Sequence, residues 1–227
     1  MTKINSELKI CIFCGARPNF MKVAPIIRIL KKKHTEGWDG RNISYSLVYA
    51  GSENDPTLEN SLFEDLQIPR PNVYLGIECE NLNELTGQVM SKFEQYLQQN
   101  NTHVVVVVDD LASTMAASIV AKKQGIALAH IAAGTRSFDI NMPKEINRLV
   151  IDGLSDVLFT AGLSNNSIAN KEGAELSRVY MVGNILIDNI RFNRERMGSL
   201  SLENIHSVSN LHLKTKQYLV FTLNIHR

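Results

Sequence analysis

Residues 104–137 read VVVVVDDLASTMAASIVAKKQGIALAHIAAGTRS, and this stretch decides the fold. The five valines show no polar alternation, which marks a strand covered on both faces. They stop at two acids, Asp109 and Asp110. Residues 113–123 follow as a helix, and 126–134 read as the next parallel strand. Ligands of open α/β sheets bind in the crevice outside the carboxyl ends of the strands. Asp110, His130, Gly134 and Arg136 therefore point toward one site, where a carboxylate, an imidazole and a guanidinium come within reach of a small polar ligand.

The same alternation extends in both directions. Strands are expected at 8–13, 44–49, 73–75, 157–160 and 179–182. Between them the apolar spacing predicts helices at 21–33, with Pro25 near its start, and at 58–66, 82–100, 144–154 and 164–172. GARPNF, at 15–20, reads as a loop. The expected fold class is α/β, a doubly wound parallel sheet with helices on both faces. Past Gly183 the pattern weakens into a helical segment at 185–196 and a loop at 198–213, and YLVFTLNIHR then starts a new apolar strand. The domain reading is a Rossmann-like domain over 1–190, with a linker and the first strand of a truncated or absent second domain over 191–227. The alternative is a terminal strand added to the edge of the first sheet.

The 227 residues carry 24 basic and 23 acidic side chains, a balance that gives no reason to expect a nucleic-acid partner. The one basic run, 31–33, lies at the end of a predicted helix and complements its dipole. No apolar stretch reaches the ~18 residues of a membrane-spanning helix, and MTKINSELKI lacks the basic-then-apolar pattern of a signal peptide. A cytoplasmic protein with no membrane partner is expected. Cys11 and Cys14 have C-x-x-C spacing, but residues three apart on a strand face opposite sides, so they read as small core residues. No G-x-G-x-x-G follows the first strand and no cluster of Cys and His has ligand spacing, so neither a nicotinamide cofactor nor a metal is expected.

In order along the chain, Gly15-Ala16-Arg17-Pro18 leads to Lys22 and Pro25, and Asp110 is followed by Ser113, Thr114 and Ala116. His130, Ala133, Gly134 and Arg136 come next, then Pro143, Glu145, Asn147 and Arg148, and then an intact V-G-N-x-x-I-D from Val182 to Asp188. This series resembles the N-terminal half of the UDP-N-acetylglucosamine 2-epimerases of the non-hydrolysing type. The family's motifs there are G-T-R-P-x-x-x-K-x-x-P, G-D-T-x-x-x-x-A, H-V-E-A-G-x-R and P-E-E-x-N-R. Thr222 with His226-Arg227 approaches a domain-joining T-x-H-R with altered spacing.

The resemblance implies one Rossmann-like half of a glycosyltransferase type B fold, in which a UDP-sugar lies between two such halves. It implies loss of UDP by anti-elimination to a 2-acetamidoglucal, then re-addition with C2 protonated on the other face. That cycle needs no cofactor. The implied partners are a UDP-sugar and a second copy in a homodimer, and the implied setting is the supply of precursors for cell-surface polysaccharide.

The resemblance makes Asp110, Glu145 and His226 the expected catalytic residues. Arg17, Lys22, His130, Arg136 and Arg148 are the expected substrate-binding residues, since guanidinium and ammonium groups can steady phosphate or orient carboxylates. Each has a plainer alternative. Asp110 could cap the following helix, Glu145 could favour its helix dipole, Lys22 could be a solvated helix charge, Arg148 a structural ion pair and His130 a hydrogen-bonded core histidine.

The chain also departs from the family pattern. Ala132 stands where H-V-E-A-G has glutamate, and Lys144 replaces the first acid of P-E-E, a charge that should hold Glu145 ionised. Gly51-Ser52-Glu53 replaces G-Q-H, and Asp109 stands where G-D-T has glycine. Either Glu53 or Asp109 is a candidate to supply the carboxylate lost at 132. Two alternatives to a working epimerase remain open: a UDP-sugar-binding or pairing module without turnover, and a hydrolysing relative that releases N-acetylmannosamine and UDP.

Overall fold

The computed structural model describes residues 7–36, 42–198, 219 and 221. Its strands are β1 (Leu8–Cys14), β2 (Ile43–Tyr49), β3 (Val73–Tyr74), β4 (Val104–Val108), β5 (Ala127–Ala133), β6 (Val157–Thr160) and β7 (Val179–Met181). The helices are α1 (Arg17–Glu36), α2 (Asn60–Leu66), α3 (Leu82–Gln99), α4 (Ala112–Lys123), α5 (Pro143–Leu154), α6 (Leu163–Lys171), α7 (Leu186–Phe192) and α8 (Arg194–Gly198). The strands form a single seven-stranded sheet in the order β3-β2-β1-β4-β5-β6-β7. Every pairing in it is parallel. Chain direction across the sheet reverses between β1 and β4, so the crevice of the topological switch opens at their carboxyl ends. Pro18 and Asp109 to Leu111 line it.

Side chains of the central strands alternate between two separate cores. Cys11, Phe13, Val105, Val107 and Leu128 pack against Val89 and Phe93 of α3, Ala117 and Val120 of α4 and Ile151 of α5. Ile12, Cys14, Leu47, Val108 and Ile131 face the other way, onto Phe20, Val23 and Ile27 of α1 and Leu62 and Phe63 of α2. Burial on both faces explains the uninterrupted apolar strands. It also separates Cys11 from Cys14, as the alternation predicts, and burial pushes both thiols up from the ordinary range. No helix among the described residues is long and apolar enough to cross a membrane.

Apart from α1, the expected elements that fall among the described residues are present with their ends shifted by a residue or two, and the helical segment at 185–196 is divided into α7 and α8. Helix α1 begins at Arg17, so most of GARPNF is helical rather than loop. Pro18 misleads the sequence reading, because proline is tolerated in a first turn whose N–H groups have no intrahelical acceptor. Asn19, 1% exposed, accepts from the Gly15 amide at 2.8 Å and the Ala16 amide at 3.1 Å and so ties the turn down. Pro25 consequently lies well inside the helix. The chain divides into a unit spanning Met1–Asn189 and a short one spanning Ile190–Arg227. In the second, the described part is the end of α7, α8, Leu219 and Phe221, and the expected strand at the C-terminus falls outside the described residues.

Gly134 follows β5 with φ +72, and a Cβ there would stand 2.2 Å from the backbone oxygen of Asn165 in α6. Left-handed strain and overpacking act together on any larger residue. Gly134→Ala is expected to lower stability by roughly 2 kcal/mol or more, measured by urea unfolding. A midpoint equal to wild type would show that α6 yields freely.

Candidate functional site

A cleft of about 380 Å³ opens at the switch point, lined by residues of α1 (Lys22, Asn19), the β4–α4 turn (Asp109, Asp110), β5 (His130, Ala132) and α5 (Lys144, Arg148, Asp152). A more apolar recess of about 500 Å³ adjoins it and shares Lys22, Ala132 and Thr135.

Asp109 leaves β4 with φ +63. Asparagine and aspartate accept that left-handed conformation more readily than most side chains. Its carboxylate is paired with the Lys22 ammonium and accepts from Asn19 Nδ2 at 3.0 Å. Asp110 meets Arg148, with Nη2 at 2.6 Å and Nε at 2.7 Å, a forked charge-assisted contact. Asn147 Nδ2 donates to the Asp110 carbonyl at 2.8 Å. The α4 N-cap is Leu111, without a side-chain cap bond, so Asp110 is not spent on capping.

Behind the cleft lies a buried charge network. Asp152 Oδ1 is 2.6 Å from His130 Nδ1, and its Oδ2 accepts from the Gly134 amide at 3.0 Å and from Arg136 at 2.8 Å. Burial works to raise the Asp152 pKa, but His130, Arg136 and the Gly134 amide outweigh it and hold the group low. Burial likewise works against the Arg136 charge, and Glu172 and Asp152 more than restore it. His130 Nε2 donates to the Asp109 carbonyl at 3.1 Å.

The structure corrects several expected roles. His130 borders the cleft but is 2% exposed, and both its ring nitrogens are engaged by the protein, Nε2 holding the Asp109 turn. The Arg136 side chain is 1% exposed and closed between Asp152 and Glu172, so it orients a carboxylate rather than binding substrate.

Glu145 is 3% exposed and does not line the cleft. Its carboxylate accepts from the Ser137 amide and hydroxyl, both at 2.9 Å, from the Phe138 amide at 3.1 Å and from Arg148 at 3.1 Å. Burial alone would raise its pKa, yet these donors bring it down to about 2. That makes it an anchor for the 137–142 loop and a poor proton carrier near neutrality. The Ser137, Phe138 and Arg148 donors, and not the neighbouring charge of Lys144, hold it ionised.

Lys22 and Arg148 line the cleft, while Arg17 is exposed at the start of α1 outside the lining. His226 falls outside the described residues. Sequence reasoning passed over Asn19 and Asp152. Asp152 did leave a signal, as it follows Glu145 and Arg148 at spacings that share one helix face.

A parallel sheet with a charged crevice at its switch point, built from acids that hold basic side chains, defines a Rossmann-like domain with a polar cleft where open α/β sheets take their ligands. The family model for UDP-N-acetylglucosamine 2-epimerase matches residues 38–227, and the chain belongs to that family. It is 32% identical to the UDP-N-acetylglucosamine 2-epimerase of Methanocaldococcus jannaschii over 96% of its own length and 57% of that protein's. To the UDP-2,3-diacetamido-2,3-dideoxy-D-glucuronate 2-epimerase of Pseudomonas aeruginosa it is 31% identical, over 85% of this chain and 53% of that one. The M. jannaschii epimerase solved in complex with UDP-GlcNAc and UDP superimposes with a TM-score of 0.79, covering 90% of this chain and 54% of that one. The chain thus spans about half the length of the relatives it matches.

Glu145 yields a testable pH dependence. Its pKa is depressed from 4.5 to about 2, so its stabilisation is complete above the ordinary value and is lost as pH falls toward 2. Glu145→Gln is expected to cost about 1–3 kcal/mol at neutral pH. The gap to wild type should close as urea titrations are repeated at successively lower pH, and a gap that persists unchanged into acid would contradict the assignment.

Proposed function

We propose that this chain supplies the N-terminal half of a UDP-N-acetylglucosamine 2-epimerase that interconverts UDP-GlcNAc and UDP-ManNAc by elimination and re-addition of UDP. The observation that carries the reading is the pair of ion-paired acids, Asp109 and Asp110, set against Lys22 and Arg148 in the cleft of a chain that belongs to this family. In the elimination, a carboxylate takes the proton from C2. The C2–H electron pair becomes the C1–C2 double bond, and the C1–O bond breaks with its electrons leaving on the diphosphate. Return of UDP to C1, with a proton delivered to the opposite face of C2, gives the epimer.

Asp110 is the carboxylate we assign to one of these transfers. Arg148 orients it, with Asn147 fixing its backbone. Lys22 supplies positive charge to the departing diphosphate once its contact with Asp109 opens. Arg17, exposed at the start of α1, and His226 belong to the same proposal as further contacts to the nucleotide sugar. So do the division at about residue 190, the homodimer, the cytoplasmic setting and the supply of polysaccharide precursors. Ala132, which cannot carry a proton, favours a second reading, a UDP-sugar-binding module without turnover.

Proton NMR of UDP-GlcNAc with the chain in deuterated water separates the two. The epimerase reading expects loss of the C2 proton signal and growth of the manno epimer, whereas release of free N-acetylmannosamine would assign a hydrolysing activity. Line broadening without exchange would leave the binding module. Asp110→Asn is expected to slow exchange by about 10²- to 10⁴-fold, and an unchanged rate would remove Asp110 from the proton transfer.

A further inference from the structure

The cycle needs proton transfer on both faces of C2, and the family glutamate on β5 is Ala132 here. We infer that Asp109 takes over the proton transfer lost at position 132, an assignment that rests on the epimerase reading above.

Register carries the argument. Val108 of β4 pairs with Ile131 of β5, so Asp109 and Ala132 follow at the same level on neighbouring strands. The Asp109 amide lies 3.4 Å from the Ile131 carbonyl. Both residues are left-handed, φ +63 and φ +68, and the ladder between β5 and β6 shifts register at Ala132. A bulge of this kind re-aims a strand end beside a site. Both residues line the same cleft. The carboxylate has moved one strand over, with aspartate where the family pattern has glycine and alanine where it has glutamate.

Elimination among the acids leads to the same residue. The carboxylates lining the cleft, among the described residues, belong to Asp109, Asp110 and Asp152. Asp152 is 5% exposed and saturated by His130, Gly134 and Arg136. Glu145 is enclosed by its loop, and Glu53 does not line the cleft. Asp109 remains beside Asp110, its side chain 17% exposed. Lys22 and Asn19 hold it on one side, and His130 fixes its carbonyl from behind. In one direction its oxygen accepts the C2 proton as UDP departs. In the other, its carboxyl, protonated from solvent, delivers a proton to that face of C2: the C1–C2 π pair forms the new C2–H bond as the diphosphate oxygen adds back to C1.

Asp109→Asn keeps one acceptor oxygen where the carboxylate offers Lys22 and Asn19 one each, and it tolerates the left-handed backbone. The variant is expected to lose C2 exchange with UDP-GlcNAc by about 10²- to 10⁴-fold while still broadening the UDP-GlcNAc lines. Adding Ala132→Glu, which restores the family residue, should recover most of the lost rate. A counter-ion serving only to hold Lys22 predicts no rescue from position 132. Wild-type exchange in Asp109→Asn, or failure of the rescue, overturns the assignment. A wild-type chain that binds UDP-GlcNAc but exchanges no C2 proton also overturns it, leaving the binding module. A chain that binds none overturns the epimerase reading and this assignment together.

Discussion

A single buried carboxylate, that of Asp152, is the constraint on which the cleft depends. A charge so placed is tolerated only when it is fully hydrogen-bonded. Asp152 meets that demand with partners from separate parts of the chain: His130 on β5, the Gly134 amide in the turn after it, and Arg136 beyond. Because Asp152 sits on α5, these bonds lock that helix to the end of β5. The lock extends through His130 Nε2 to the Asp109 carbonyl, so the β4 end is held in the left-handed turn that presents both acids.

The other side of α5 completes the arrangement. Arg148 bridges Asp110 in the cleft and Glu145 under the 137–142 loop, which couples the loop to the acid through one guanidinium. Loop and helix therefore cannot shift independently of Asp110. Truncating either partner would leave a charge short of its contacts, which costs more than the pair itself contributes.

Much of the architecture was legible in the sequence, because strands buried on both faces must be continuously apolar and the intervening helices must carry a stripe. The start of α1 was not legible, since Pro18 in a first turn looks like a loop residue until the side chain of Asn19 is seen to tie that turn. At the site, motif positions pointed to Asp110, Lys22 and Arg148, which line the cleft. Which acid holds which base was hidden, because Asp110 and Arg148 meet only through the β4–β5 register and the seating of α5 on the sheet. Glu145 shows the limit most clearly. Its motif position marks it for chemistry, but the loop amides that saturate it come from a left-handed turn at Phe138 that no periodicity announces.

The pairing of Lys22 with Asp109 and of Arg148 with Asp110 has a kinetic consequence. Each basic group is already neutralised at contact distance, so their fields cancel within a few ångströms of the cleft. Lys144 is the one ammonium of the lining without a partner among the described residues. Under the epimerase reading, an approaching nucleotide sugar then meets little long-range attraction, and its capture rate should vary only weakly with ionic strength. Attraction arises only once the ligand is close enough to exchange places with a carboxylate, so selection among anions falls to the fit inside the cleft rather than to the encounter.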